Sequence, residues 1–326
     1  MLVTLTVLFG GRGDEYAVSL RSAAAVLRAA TLPCRAVGIT RDGRFLETDP
    51  DACAILRDAW QDAAAPWSPA SLDADGVVFP LLHGRHGEDG ELQGYLSTLD
   101  IPYIGCTTLA GAIGMDKYMA KLLASSIGIP TLLQTLVYKN ELSDPLLYER
   151  IEAALFYPIF VKPSDGGSSI GAGIARDRAE LRRRLAQADT ARILLEPYQP
   201  AREIEVAILE ERGVLTLPPP GEVGHTAEFY DYDTKYGAHT PPLSIPAALP
   251  RATAELVTDY AKRIFLLFGC RHLARVDFFV SERGVFFNEI NTMPGFTAGS
   301  MYPRLFEAIG IPMDALILRL CAAARP

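Results

Sequence analysis

The run Arg275-Val-Asp277-Phe-Phe-Val-Ser-Glu-Arg-Gly284-Val-Phe-Phe-Asn-Glu289-Ile-Asn291 constrains the fold more than any other stretch. Two apolar, aromatic-rich runs flank a short polar turn ending in Gly284, which is the pattern of a β-hairpin. A three-residue loop, Glu282 to Gly284, would give Gly284 the left-handed position such loops favour. Val285 then pairs with Ser281, and Glu289 lies opposite Asp277. Side chains alternate faces along a strand, so Asn291 shares the face of Glu289. Asp277, Glu289 and Asn291 thus offer oxygen ligands on one patch beside Arg275. Hard oxygen ligands with positions left open suit Mg²⁺ carrying a nucleotide's phosphates. The alternative is a hairpin with solvated polar residues. Its neighbours, however, are Phe and Val, and an acidic cluster among them needs a reason.

A chain of 326 residues is long enough for two or three packed domains. Its 49% hydrophobic and 21% charged residues are those of an ordinary soluble enzyme. The net charge of −8 gives no support for nucleic-acid binding. Cys34, Cys53, Cys106, Cys270 and Cys321 are scattered and form no C-x-x-C pair, so neither zinc nor a disulfide framework is indicated. A reducing cytoplasm fits this usage. The opening Leu-Val-Thr-Leu-Thr-Val-Leu-Phe lacks a basic flank and runs into Gly10-Gly11, so it reads as a buried strand and not a signal peptide. No apolar run has the length of a membrane span.

Strand signals at Val3 to Phe9, Cys34–Ile39 and Gly76–Pro80, with a helix from Glu15 to Ala30, predict a parallel sheet. Ile101–Gly105 reads as another short strand. After Cys106 a helix carrying Met115-Asp116-Lys117 ends at Gly128-Ile129-Pro130. Strands follow at Leu132–Tyr138, Pro158–Pro163, Ala172–Arg176 and Ile193–Glu196, with Pro197 to Pro200 as a connector. A helix from Ala252 to Phe268 precedes the hairpin.

The loop Lys162-Pro-Ser-Asp-Gly166-Gly167-Ser168-Ser169-Ile170-Gly171 suits phosphate: small residues admit backbone N–H groups, and Lys162 adds a point charge. It is not a P-loop, because no Gly-Lys-[Ser/Thr] follows. Gly167-Ser168-Ser169-Ile170-Gly171 also matches the nucleophile elbow of serine hydrolases, but that elbow needs a helix next, and a strand follows here. Gly11-Arg12-Gly13 lacks the third glycine of a dinucleotide fingerprint. It still opens a helix whose N–H donors suit a carboxylate, with Glu15 in the first turn. His83 and His86 have a spacing that metals use, yet the surrounding glycines favour a substrate-contacting turn. The long polar, Tyr-rich stretch from Glu222 to Pro242 reads as a lid. Asn291 to Ser300 offers N–H and hydroxyl groups to a substrate carboxylate.

In this order, the motifs resemble the D-alanine–D-alanine ligases of the ATP-grasp superfamily. The resemblance runs nearly end to end. It is carried by Phe9-Gly-Gly with Glu15-Tyr-Ala-Val-Ser19, His83-Gly-Arg-His-Gly-Glu-Asp-Gly, Met115-Asp-Lys117, Val161-Lys-Pro-Ser and Gly167-Ser-Ser-Ile-Gly. Tyr230-Asp-Tyr-Asp-Thr-Lys-Tyr236, Arg275-Val-Asp277 and Asn288-Glu-Ile-Asn-Thr-Met-Pro-Gly-Phe-Thr297 complete it.

The resemblance implies an α/β, three-domain ATP-grasp fold, divided as 1–104, 105–196 and 197–326. The first domain would hold the parallel sheet, and ATP would lie between the other two, which are α+β. Lys117 and Lys162 would contact phosphates under the loop of Gly167, Ser168 and Ser169. Glu196 and Gln199 would line the adenine edge, and Glu203 would bind ribose. Asp277, Glu289 and Asn291 match ligands of two Mg²⁺ ions, with Mn²⁺ as a substitute. Glu15, Ser168 and Tyr236 match a hydrogen-bonded trio that holds the first substrate and the lid. His83, Lys235, Gly295 and Ser300 match substrate contacts, and Arg275 matches the oxyanion donor.

The implied reaction joins two D-alanines through an acyl phosphate for peptidoglycan, in a cytoplasmic homodimer with no nucleic-acid or membrane partner. Pro197, where a Lys is common, and the lid's Glu222-Val-Gly-His225-Thr-Ala-Glu228 depart from the pattern. Glu15-Tyr-Ala-Val-Ser resembles the D-Ala–D-Ser relatives, so D-serine or another amine is an alternative acceptor. Tyr236 favours an amine over a hydroxyl nucleophile. A nucleotide-binding protein without ligase activity would not need both metal-side acids and Arg275.

Overall fold

The computed structural model describes residues 3–62, 64–72, 76–166, 171–224 and 242–325. Among them the chain forms three sheets. Leu5–Gly10 is the buried heart of the first, parallel to both Cys34–Ile39 and Val77–Pro80. A continuous apolar run is what a strand covered on both faces requires. The expected parallel sheet is thus present, but two antiparallel strands, Phe45–Thr48 and Ala65–Pro66, extend its edge. Ile101–Gly105 is not a full strand: Tyr103 makes a single bridge to Val78. Gly10, at φ +89°, turns the chain into helix Tyr16–Ala29; a Cβ there would lie 2.3 Å from the Ile39 carbonyl oxygen.

Thr135–Tyr138, Arg192–Pro197, Ile159–Pro163 and Gly173–Ala175 form an antiparallel four-stranded sheet. Helices Leu147–Ala154 and Arg178–Gln187 cover it. Strands Ile159–Pro163 and Gly173–Ala175 pair directly, so the glycine/serine loop joins a hairpin and no helix leaves it. A nucleophile elbow has no place there.

The third sheet is built around Arg202–Glu211, Leu273–Ser281 and Gly284–Asn291. Ile204, Val206 and Ile208 point to one face, which helices Thr108–Met115, Lys117–Ser126 and Arg251–Leu267 cover. Ala207, Leu209 and Leu273 point to the other, where helices Met301–Glu307 and Met313–Ala323 join them to the core of the first sheet. Glu205, Arg275 and Asp277 share that second face by alternation. The face is therefore core at one end and polar at the other.

The hairpin loop differs from the three-residue expectation. Ser281 pairs with Gly284, not Val285, which leaves Glu282 and Arg283 at the turn. Gly284 does take positive φ, at +129°. A bulge beyond Phe278 then brings Asp277 opposite Glu289 and Arg275 opposite Asn291.

Candidate active site

The polar end of the third sheet is a tightly paired cluster. Arg275 Nε and Nη2 donate to Asp277 Oδ1 and Oδ2 at 2.8 and 2.7 Å. Arg275 Nε also lies 3.0 Å from Glu205 Oε2. Burial alone would lower the Arg275 pKa, but the carboxylates of Asp277 and Glu205 hold the guanidinium charged, well above its ordinary value. Asn291 Nδ2 donates to Asp277 Oδ2 at 2.9 Å. Two facing carboxylates with an amide beside them form an oxygen-rich donor set that fits a hard divalent cation. These are the three ligands expected from the sequence, and the structure brings them together.

Lys117 faces this cluster, and Lys162 stands beside it at Asn288. Asp116 caps helix Lys117–Ser126 by accepting from Met119 N, and it holds the strand end by accepting from Ser164 Oγ at 2.9 Å. Lys117 is thereby fixed at a helix start, where backbone N–H groups already favour anions. Its Nζ donates to Gly166 O at 2.6 Å and lies 3.2 Å from Glu289 Oε2. Lys162 Nζ lies 2.6 Å from Glu196 Oε2 and donates to Asn288 Oδ1 at 3.4 Å. Burial would raise the Glu196 pKa, yet Lys121 and Lys162 outweigh it and hold the carboxyl at about 2. The Glu196 side chain is thus the counter-ion of two lysines. At the connector, Gln199 Nε2 is buried and makes no hydrogen bond among the described residues; a ligand edge would satisfy it.

A cavity of about 550 Å³ opens between these elements and the first sheet, lined among others by Glu15, His83, Lys117, Arg275, Glu289 and Ser300. Glu15 occupies the cap position of helix Tyr16–Ala29 and is buried. His83 Nε2 meets Ser22 Oγ at 2.9 Å, and its Nδ1 lies 3.1 Å from Met293 O and 3.5 Å from Glu88 Oε1. Burial lowers the His83 pKa, but Glu88, with Glu15 and the Met293 carbonyl, more than offsets this, and the net direction is up. His86 points elsewhere, to Glu91 Oε2 at 2.6 Å, so the two histidines do not share a metal. Ser300 Oγ accepts from Thr297 N at 3.1 Å, and a Cβ on Gly295 would come within 3.0 Å of it. Glu203 stands two residues before Glu205 on the same strand. Gly167, Ser168, Ser169, Lys235 and Tyr236 lie outside the described residues.

A family model described as D-ala D-ala ligase N-terminus matches residues 4–106, and one described as D-ala D-ala ligase C-terminus matches 123–322. The chain belongs to the D-alanine–D-alanine ligase family. A D-alanine–D-alanine ligase of Caldicellulosiruptor bescii is 41% identical, over 98% of this chain and 94% of that protein. One from Enterococcus faecalis is 38% identical, over 98% of each. Among solved structures, the VanG D-Ala:D-Ser ligase of Enterococcus faecalis superposes with a TM-score of 0.89 at 30% identity, over the full length of both chains. The fold is the α/β ATP-grasp fold of these ligases.

Within this ligase fold, five residues of the site were not singled out as site residues from the sequence: Ser22, Glu88, Lys121, Glu205 and Asn288. Lys121 had a signal, since it stands one helical turn after Lys117 and shares its face. Glu205 had one too, two residues from Glu203 on a strand. Asn288 had none, because only the bulge aims it at Lys162.

Proposed function

We propose that this chain is an ATP-dependent D-alanine–D-alanine ligase, in which one D-alanine carboxylate attacks the γ-phosphate and the amine of a second attacks the resulting acyl phosphate. The observation that carries this reading is one cavity lined by Lys117, Arg275, Glu289 and Asn291, with Asp277 bonded to Arg275 and Asn291, and with Lys162 bonded to Asn288 beside Glu289. The two lysines would neutralise the transferring phosphoryl group. Asp277, Glu289 and Asn291 would hold Mg²⁺, which supplies further charge neutralisation at the phosphates. Arg275, its plane fixed by Asp277 and Glu205, would stabilise the tetrahedral oxyanion together with a backbone N–H near Gly295. Glu15 and His83 would orient the first D-alanine, and Ser300 the carboxylate of the second.

In the same reading, Glu196, Gln199 and Glu203 border the nucleotide, and Gly167, Ser168 and Ser169 would contact its phosphates. Lys235 and Tyr236 would help keep water from the acyl phosphate. Domains 1–104, 105–196 and 197–326 belong to the same proposal, with helices Thr108–Met115 and Lys117–Ser126 lending their apolar faces to the third sheet. A cytoplasmic homodimer acting in peptidoglycan synthesis completes the proposal; no described helix is long and apolar enough to cross a membrane. The likeness to a D-Ala:D-Ser ligase keeps D-serine as the second reading for the acceptor.

The test is coupled ADP release with Mg-ATP, comparing D-alanine alone with D-alanine plus D-serine and reading the products by mass spectrometry. D-Ala–D-Ala as the main product is the expected result. A dominant mixed dipeptide at equal acceptor concentration would move the chain to the D-serine branch. No ADP release with either would overturn the ligase reading.

A further inference from the structure

Lys121 plays no part in the mechanism above, yet its side chain is wholly buried. Its Nζ donates to Glu196 Oε1, while Lys162 Nζ takes Oε2 at 2.6 Å. One carboxylate therefore serves two ammonium groups, one on each oxygen. The three groups come from three elements: helix Lys117–Ser126 and strands Arg192–Pro197 and Ile159–Pro163. Burying a lysine is costly, and an apolar side chain of similar volume would pack as well if packing were all that mattered.

We propose that Lys121 is a positioning residue for Lys162, binding one oxygen of Glu196 so that Glu196 holds the Lys162 ammonium in the phosphate site without neutralising it. Two ammonium groups and one carboxylate leave one positive charge in the cluster. Remove Lys121, and Glu196 becomes the private counter-ion of Lys162. The Lys162 charge is then spent inside the protein and its Nζ is drawn toward the strand. Lys121 would thus act on nucleotide affinity through a residue that it does not touch. This inference rests on the nucleotide-dependent reading of the site.

Binding of Mg-ADP to the full chain, by titration calorimetry with thermal unfolding alongside, tests it. Failure of the unaltered chain to bind would overturn the nucleotide reading, and this inference with it. Lys121→Met is expected to weaken binding by about tenfold, the scale of one charge-assisted hydrogen bond. Adding Glu196→Gln to Lys121→Met is expected to recover about threefold or more, because Lys162 is released. A purely structural Lys121 predicts further weakening instead. Lys121→Arg should keep affinity near that of the unaltered chain. Unchanged affinity in folded Lys121→Met, or no recovery in the double variant, overturns the inference. Should Lys121→Met not fold, the double variant decides. Affinity within about tenfold of the unaltered chain supports the proposal, and weaker binding overturns it.

Discussion

Asp277 lies opposite Glu289 although, four positions along the same strand, Ser281 lies opposite Gly284. One regular ladder cannot contain both pairs: counted from the turn, Asp277 would meet Asn288. The bulge absorbs the extra residue, and it also re-aims the side chains. Phe287 packs against Phe278 and Phe268 in the core, with ring centroids 6.2 and 6.4 Å away. Glu289, two residues on, faces the cavity instead. Two residues apart on a regular strand would share a face. The bulge thus frees Glu289 for the site and sends Asn288 to Lys162.

Asp277→Asn and Glu289→Gln should each lower kcat by about 10²–10³-fold, the loss typical of removing one preorganised charge-stabilising group. Their stabilities should separate. Asp277 is the bidentate partner of buried Arg275, so Asp277→Asn should cost up to about 3 kcal/mol. Lys117, the partner of Glu289, keeps its bond to Gly166 O, so Glu289→Gln should cost about 1 kcal/mol. Steady-state ADP release across a Mg²⁺ titration, with denaturant melts of both variants, checks this. Full activity in both would sink the metal assignment.

Gly84→Ala should act on Glu15. Gly84 has φ +68°, and a Cβ there would lie 2.1 Å from Glu15 Oε2. A left-handed alanine costs about 1–2 kcal/mol. The larger consequence is that the Glu15 carboxylate must move, and kcat/KM should fall by about tenfold or more, as for other small displacements of positioning groups. In a Glu15→Ala background the same substitution should have little further effect on kcat/KM. Equal losses in both backgrounds would mean that Gly84 acts by another route.

The legible parts of the molecule were those fixed by local pattern. Alternation and a turn glycine placed the hairpin, and its key pair emerged correctly from an incorrect turn because the bulge replaced the loop residue. Phe45–Thr48 carries no strand signal in the sequence, because its residues are all half-buried and show no clean alternation. Ile101–Gly105 was overread, since a short apolar run between turns need not find a ladder. Glu205 and Lys121 escaped notice for a different reason. Their roles come from partners distant in sequence, Arg275 and Glu196, and a single sequence does not show which strands become neighbours.

His272 should make the fold acid-sensitive. Its Nδ1 accepts from Gly105 N at 3.2 Å, joining the third sheet to the end of the first sheet's last crossover. Burial, with the Arg271 charge beside it, lowers its pKa to about 4. Between that value and the ordinary 6.5 the unfolded chain binds the proton and the folded chain does not. Stability from this group therefore rises with pH across the window, and falling from pH 6.5 to 4 removes it, up to about 3 kcal/mol. Asn tolerates the positive φ of position 272, +62°, and offers an acceptor without titrating. Urea melts at half-unit steps from pH 7 to 4 should show a shallower decline for His272→Asn than for the unaltered chain. Parallel declines would place the acid sensitivity in other groups.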